Sequence, residues 1–188
     1  MNLRYLIGFL GAITILILII VLIVRGGGNN APQLVDLADY TTSSSQVVFI
    51  NDGPVSASQT HDVVKITVNQ SETTIDVIKG YEGQVVDSRT YPMNPNSYAA
   101  FLLSLKHANF NLGDTNSNLS DERGYCPTGD RYVYQLKDGE SNVLRFWNTS
   151  CGTKFGTFKG QGPLIRQLFR MQIPDYDSLT TNLNIQSN

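Results

Sequence analysis

From Leu6 to Val24 the chain runs without a charge, and seven Ile, five Leu, two Val and one Phe fill most of that stretch. Wound as a helix it is roughly 28 Å long, close to the thickness of a bilayer's hydrocarbon core. At about −0.4 kcal/mol for each large apolar side chain, insertion is favoured by roughly 6 kcal/mol. A cleaved leader has a shorter apolar core and a small-x-small cleavage site. Here the run closes on Val24-Arg25-Gly26-Gly27-Gly28, and no cysteine directly follows it for lipidation. Residues 1–25 therefore read as an uncleaved signal-anchor that crosses the membrane once.

Orientation rests on the flanks. Arg4 and the terminal amine lie on one side and Arg25 on the other. The next cation after Arg25 is Lys65, while Asp36 and Asp39 lie close to the run. A cytoplasmic juxtamembrane stretch usually carries more Lys or Arg. The expected arrangement is a cell-membrane protein with its amino terminus in the cytoplasm and residues 27–188 outside. Gly8-x-x-x-Ala12 is a small-xxx-small step of the kind that pairs two helices, so the sequence admits a homodimer through the membrane helix.

The net charge of the 188 residues is −2. Nucleic-acid binders usually carry a basic excess, so the balance argues against a nucleic-acid partner. The 162 residues beyond Gly26 hold 12 basic side chains against 16 acidic ones, one domain's worth of chain.

Residues 26–45 read as a flexible tether, with Leu34, Leu37 and Ala38 spaced for a short docking helix. Residues 46–176 read as the domain. Val47 to Ile50 forms a first strand, stopped by Asn51-Asp52-Gly53-Pro54. Val64, Ile66 and Val68 alternate with Lys65 and Thr67, as on a half-buried strand. Further strands follow around Ile75 and Val77 and over Val85 to Thr90. Asn94-Pro95 opens a helix whose Tyr98, Phe101, Leu102 and Leu105 fall on one face. The plan then recurs. Tyr132, Tyr134 and Leu136 alternate on a strand, Lys137-Asp138-Gly139-Glu140 turns it, and Val143 to Asn148 returns. Gly162-Pro163 opens a second helix with Leu164, Ile165, Leu168 and Phe169 on its apolar face. The expected fold is α+β: an antiparallel sheet with two helices packed on one face, in tandem hairpin-helix units. Residues 177–188 are polar and read as a disordered tail.

Gly80-Tyr81-Glu82-Gly83, Tyr98-Ala99-Ala100-Phe101-Leu102, Glu122-Arg123-Gly124-Tyr125-Cys126-Pro127-Thr128-Gly129, Trp147-Asn148-Thr149-Ser150-Cys151-Gly152-Thr153 and Gln172-Ile173-Pro174-Asp175-Tyr176 form a set. Together with the anchor, the set resembles a family of uncharacterised single-pass membrane proteins of Saccharibacteria and related Candidate Phyla Radiation bacteria. The likeness covers most of residues 35–176. It implies a bacterial cell-surface location and transfers no catalytic residue.

Few residues are arranged for chemistry. The only histidines are His61 and His107, with no third ligand in view for zinc. Gly-x-Ser-x-Gly is absent. Asp114, Asn116 and Asn118 match the first oxygens of a calcium loop, but Leu119 and Tyr125 stand where a Gly and a bidentate Glu belong. That leaves a calcium candidate without its key ligand, and the sequence implies no cofactor. Asp121 and Glu122 are the one carboxylate pair that could divide acid and base roles. Gly152 to Gly162 is a glycine-rich connection carrying Lys154, Phe155, Phe158 and Lys159; its rings either pack in the core or face a partner. Arg166 and Arg170 lie one turn apart, and Arg145 and Lys154 are placed near them as a candidate interaction surface for an anion.

Cys126 and Cys151 are expected to form a disulfide, as two cysteines outside the membrane usually do. If Asp138-Gly139 is a two-residue turn, Lys137 faces Glu140, and the same register sets Cys126 opposite Cys151. Pro127 and Gly129 break the ladder before then, so proximity rather than regular pairing is expected.

Anchor, tether and compact domain together suggest an extracytoplasmic, non-enzymatic binding module. Its expected partner is another envelope protein, a wall polymer or a host-surface component. A cell-envelope hydrolase and a small-ligand carrier or sensor are the alternatives.

Overall fold

A computed structural model describes residues 35–42, 44–115, 119–152 and 155–185. The expected membrane anchor and residues 26–34 and 43 of the expected tether lie outside the described residues. Among the described residues no helix is long and apolar enough to cross a membrane.

Six antiparallel strands make one sheet. They are β1 (Ser45–Asp52), β2 (Asp62–Asn69), β3 (Glu72–Lys79), β4 (Gln84–Pro92), β5 (Arg131–Asp138) and β6 (Ser141–Thr149), in the order β4-β3-β2-β1-β5-β6. The sheet is α+β as the alternation predicts. β2 is the plainest case, with every second residue buried. Those residues are Asp62, Val64, Ile66 and Val68; on the neighbouring strands Phe49 and Ile75 stand opposite Ile66, and Val47 opposite Val68.

Helix α1 (Pro95–His107) follows β4. Asn94 caps it, accepting the Ser97 N–H on its side-chain oxygen, and Pro95 fills a first-turn position where no N–H is needed. Asn109 ends it in the left-handed region at φ 58°. The N–H groups of Asn109 and Phe110 then reach back to the carbonyls of Lys106 and Leu105, closing the last turn. Helix α2 (Gly162–Arg170) follows β6, and the short α3 (Tyr176–Thr180) follows that.

α1 and α2 bury their apolar faces on one side of the sheet. Phe169 is the centre of this layer, with its ring 5.2 Å from Phe101 edge-on, 5.5 Å from Phe49 and 6.3 Å from Phe110. Seven of the eight helix residues expected there are buried or half-buried. Leu164 is the exception at 41% exposure: it lies at the edge of the apolar face and turns to solvent, while Gly162 and Ile165 beside it are buried.

Two expectations at the chain ends are corrected. The supposed tether after Val35 already belongs to the fold. Leu37 is fully buried in a 3-10 turn over Leu37–Tyr40, Asn111 donates to the Val35 carbonyl, and Lys106 holds Asp36 at 2.8 Å. The expected frayed tail over 177–188 is folded through 185. Thr180 is buried, Leu179, Leu183 and Ile185 pack on the core, and the Asn184 N–H donates to Asp62. Gly53 permits that approach, since a Cβ there would lie 2.7 Å from the Asn184 carbonyl oxygen. The apolar residues of this segment were too sparse to show a period.

The opposite face of the sheet has a different cover. Val48, Val133 and Trp147 alternate with the helix-side residues and are buried there. The segment after α1 crosses over them. Trp147 donates its ring N–H to the Leu119 carbonyl, and the Tyr125 ring lies 5.1 Å from the indole.

Candidate functional site

The Cys126–Cys151 disulfide pins this crossing segment, with the two Cα atoms 5.7 Å apart. The register expected to bring them together is not the one observed. The turn is centred on Gly139-Glu140, so Asp138 faces Ser141, and an irregularity between Leu136 and Lys137 shifts the ladder again. Beyond it Leu136 faces Leu144 and Arg131 faces Thr149. Continued further, that register would set Cys151 against Gly129. Cys126 instead reaches the bridge from a tight turn, its φ at 49°, with the Gly129 N–H on its carbonyl. Gly129 leaves the space: a Cβ there would stand 2.7 Å from one sulfur and 3.2 Å from the other.

The residues expected to form one interaction surface are divided between the two faces. Arg145 faces Gln135, alternates with Phe146, and so lies on the side away from the helices. It donates to the Ser120 carbonyl and to Glu122. Lys154 lies outside the described residues. Phe158 is only 6% exposed and packs 4.3 Å from the Tyr134 ring in the helix-side core. Phe155 is 43% exposed and leans on Tyr125. Lys159 is exposed beside them, with its N–H on the Leu112 carbonyl. The glycine-rich connection thus sends one ring to each side of the sheet.

The carboxylate pair is held by arginines. Asp121 accepts from the Arg123 side chain and backbone, which pull its carboxyl down to about 2. Glu122 is paired with Arg145. Of the calcium candidate, Asp114 is in the cover, with its N–H on the Thr157 carbonyl. Asn116 and Asn118 lie outside the described residues. Among the described residues no group of three His, Cys, Asp or Glu is placed to hold a metal. His61 is engaged at both ring nitrogens, by Asp52 at 3.0 Å and by the Pro54 carbonyl at 3.1 Å. Asp52 in turn takes a two-pronged grip from the buried Arg131, its neighbour across the β1–β5 ladder. No local pattern announces this trio, because its members come from β1, β5 and the start of β2.

Arg166 and Arg170 do come together. They line an open groove of about 840 Å³ between α2 and α3. The Arg166 guanidinium lies 4.3 Å above the Tyr132 ring, and that of Arg170 lies 4.7 Å above Tyr176. Stacking of this kind fixes the plane and position of a cation. Arg170 also meets Asp177 at 3.1 Å. The Arg166 Nε atom is buried and has no hydrogen-bond partner. Beneath it the Tyr134 hydroxyl donates to Asn148 and accepts from the Arg166 side chain; burial pushes it up to about 12 against the pull of that nearby cation. Leu164 and Met171, the latter 70% exposed, stand at the groove's lip. Beside its arginines and tyrosines the groove also presents the carboxylates of Asp175 and Asp177, the latter paired with Arg170. The sequence shows the two arginines but not their tyrosine supports, which lie on β5 and α3. No protein family, curated protein or solved structure matches the chain.

Proposed function

We propose that the chain is a membrane-anchored extracytoplasmic binding module of a bacterial cell envelope, and that the groove between α2 and α3 takes its ligand. The ligand is a carboxylate-bearing segment of an envelope protein or wall polymer. The observation that carries this reading is the pair of tyrosine-stacked arginines lining one groove. The apolar run over residues 6–24 supports the anchor. The disulfide supports an oxidising compartment. The resemblance to the Saccharibacteria family supports the envelope setting.

Titration calorimetry of the full chain in detergent with an acidic glutamate-rich peptide tests the reading. Arg166→Gln and Arg170→Gln should each weaken binding about tenfold or more, as loss of a charged hydrogen bond does. Arg145→Gln, on the other face, should leave it unchanged. Equal weakening by Arg145→Gln, or no binding by the native chain, overturns the assignment.

A further inference from the structure

One edge of the sheet is open. β4 is exposed along its length except at the half-buried Tyr91, and among the described residues its only backbone partner is β3. The Met93 N–H donates to the Ser71 carbonyl, just beyond the facing pair Glu72 and Pro92. In an antiparallel ladder the direction of the backbone groups alternates. Tyr91, Arg89 and Asp87 therefore turn theirs toward β3, while Thr90 and Ser88 turn theirs to solvent. Pro92, which has no N–H, falls on an outward position, where the ladder loses nothing. At the far end the register shifts between Val77 and Ile78, and Val85 and Val86 stand about half exposed.

We propose that β4 pairs with β4 of a second copy of the chain, antiparallel, about a two-fold axis at Ser88. Ser88 then faces Ser88 of the second copy through its outward N–H and C=O. Asp87 faces the second copy's Arg89, and Arg89 faces its Asp87. Val85 faces Tyr91. Within one copy Arg89 gives one nitrogen to Asp175 at 2.8 Å, and its other terminal nitrogen makes a longer ion pair with Asp87 at 3.7 Å, so pairing two copies joins the two Asp87–Arg89 pairs into one alternating cluster of four charges. The charges also select the register. Moving the axis by one residue sets Asp87 against Asp87 or Arg89 against Arg89. Moving it by two leaves both charges without an opposite. Like charges directly across a ladder are unfavourable and opposite ones favourable, so a strand that repels most partners accepts its own copy in one alignment.

The test uses the full chain under oxidising conditions. Facing hydrogen-bonded residues stand about 5.5 Å apart at Cα, within the roughly 4.4–6.8 Å that a disulfide spans. Ser88→Cys should therefore give a disulfide-linked dimer, and Ser141→Cys, at the far hairpin, should not. In the Ser88→Cys chain, Asp87→Arg or Arg89→Asp alone should cut the linked dimer about tenfold, and the two together should restore it to within about twofold. Thr90→Pro removes an outward N–H that the single chain does not use, so it should abolish linking while the melting temperature holds. Equal linking by Ser88→Cys and Ser141→Cys, failure of the double exchange to restore, or full linking with Thr90→Pro overturns the proposal. So does a dimer indifferent to every change on β4 but lost with Gly8→Leu, which would place the contact in the apolar run.

Discussion

The two faces of the sheet are covered by different means. On one side two helices bring Phe101, Leu105, Ile165 and Phe169 onto Phe49, Ile66 and Tyr134. On the other a segment with little regular structure lies over Val48, Val133 and Trp147, held by one disulfide, one indole hydrogen bond and a stack of rings. Helices can bury area wherever their period presents an apolar stripe. An irregular segment has no such stripe and must be fixed at particular points. The helix side should therefore lose stability in proportion to the volume removed, and the loop side in proportion to the fastening removed.

The largest expected effect is on the helix side. Phe169→Ala should cost about 3–5 kcal/mol in denaturant unfolding, and Leu105→Ala about 2–5 kcal/mol, since both are fully buried. Leu164→Ala, at the exposed edge of that face, should cost less than about 0.5 kcal/mol. A comparable loss at Leu164 and Phe169 would mean that α2 packs along its whole length.

Next comes the bridge. Replacing Cys126 and Cys151 together by Ala should cost roughly 3 kcal/mol, chiefly through the freed unfolded chain. The helix-side amides should keep their hydrogen-exchange protection relative to those around Trp147. Uniform loss of protection would show the two faces to be one cooperative unit.

Gly129→Ala sharpens the distinction. Its Cβ would sit 2.4 Å from the Ser150 hydroxyl oxygen and 2.7 Å from the Cys126 sulfur. The substitution should cost about 1–3 kcal/mol in the bridged chain and clearly less in the chain without cysteines, a non-additivity that a double-mutant cycle measures. Additive costs would mean that the glycine serves the turn and not the bridge.

The smallest effect is electrostatic. Asp175, on the helix side, is held below the ordinary carboxylate range by the Tyr91 hydroxyl and then by Arg89, against some opposing burial. A lowered folded value means stability that is complete above the unfolded pKa of about 4 and is lost as pH falls through the folded value. Asp175→Asn should remove that part of the acid dependence. Asp121 on the loop side is drawn down to about 2 by Arg123, its near neighbour in sequence, so its titration between about 4 and about 2 should follow a local contact. Asp121→Asn should leave the unfolding curve almost unmoved. A larger acid effect from Asp121 than from Asp175 would reverse the comparison.

The helix side was legible because its information is periodic. The i, i+3, i+4, i+7 spacing over Tyr98 to Leu105 and the alternation over Val64 to Val68 each state which residues turn inward. Even there Leu164 escaped, because a period says roughly which face a residue is on and not how much of that face is covered. The loop side was legible only through its cysteines. Their pairing followed from compartment and number, while the register invoked for it failed at Gly139-Glu140 and at the irregularity beside Lys137. Nothing in the residues near Leu119 marks its carbonyl as the acceptor for Trp147. The groove was half legible: Arg166 and Arg170 share a helix face, but their tyrosines come from elements 34 and 6 residues away. Arg145 was misplaced for lack of a strand parity assigned from Phe146.

The position of β1 has a mechanical consequence. The chain enters the domain at its amino end and runs almost at once into β1, which lies inside the sheet between β2 and β5 and antiparallel to both. A pull delivered from residue 35 first peels away the 3-10 turn with Leu37 and the Lys106–Asp36 contact. It then draws β1 lengthwise against two ladders at once, so their hydrogen bonds bear the load together instead of opening singly as along a zipper. A strand at the sheet's margin in the same position would unzip from one end. Loaded from its amino end, the fold yields its clasp early and its sheet late, and the force at which the sheet gives way is set by the rate of shearing and not by equilibrium stability.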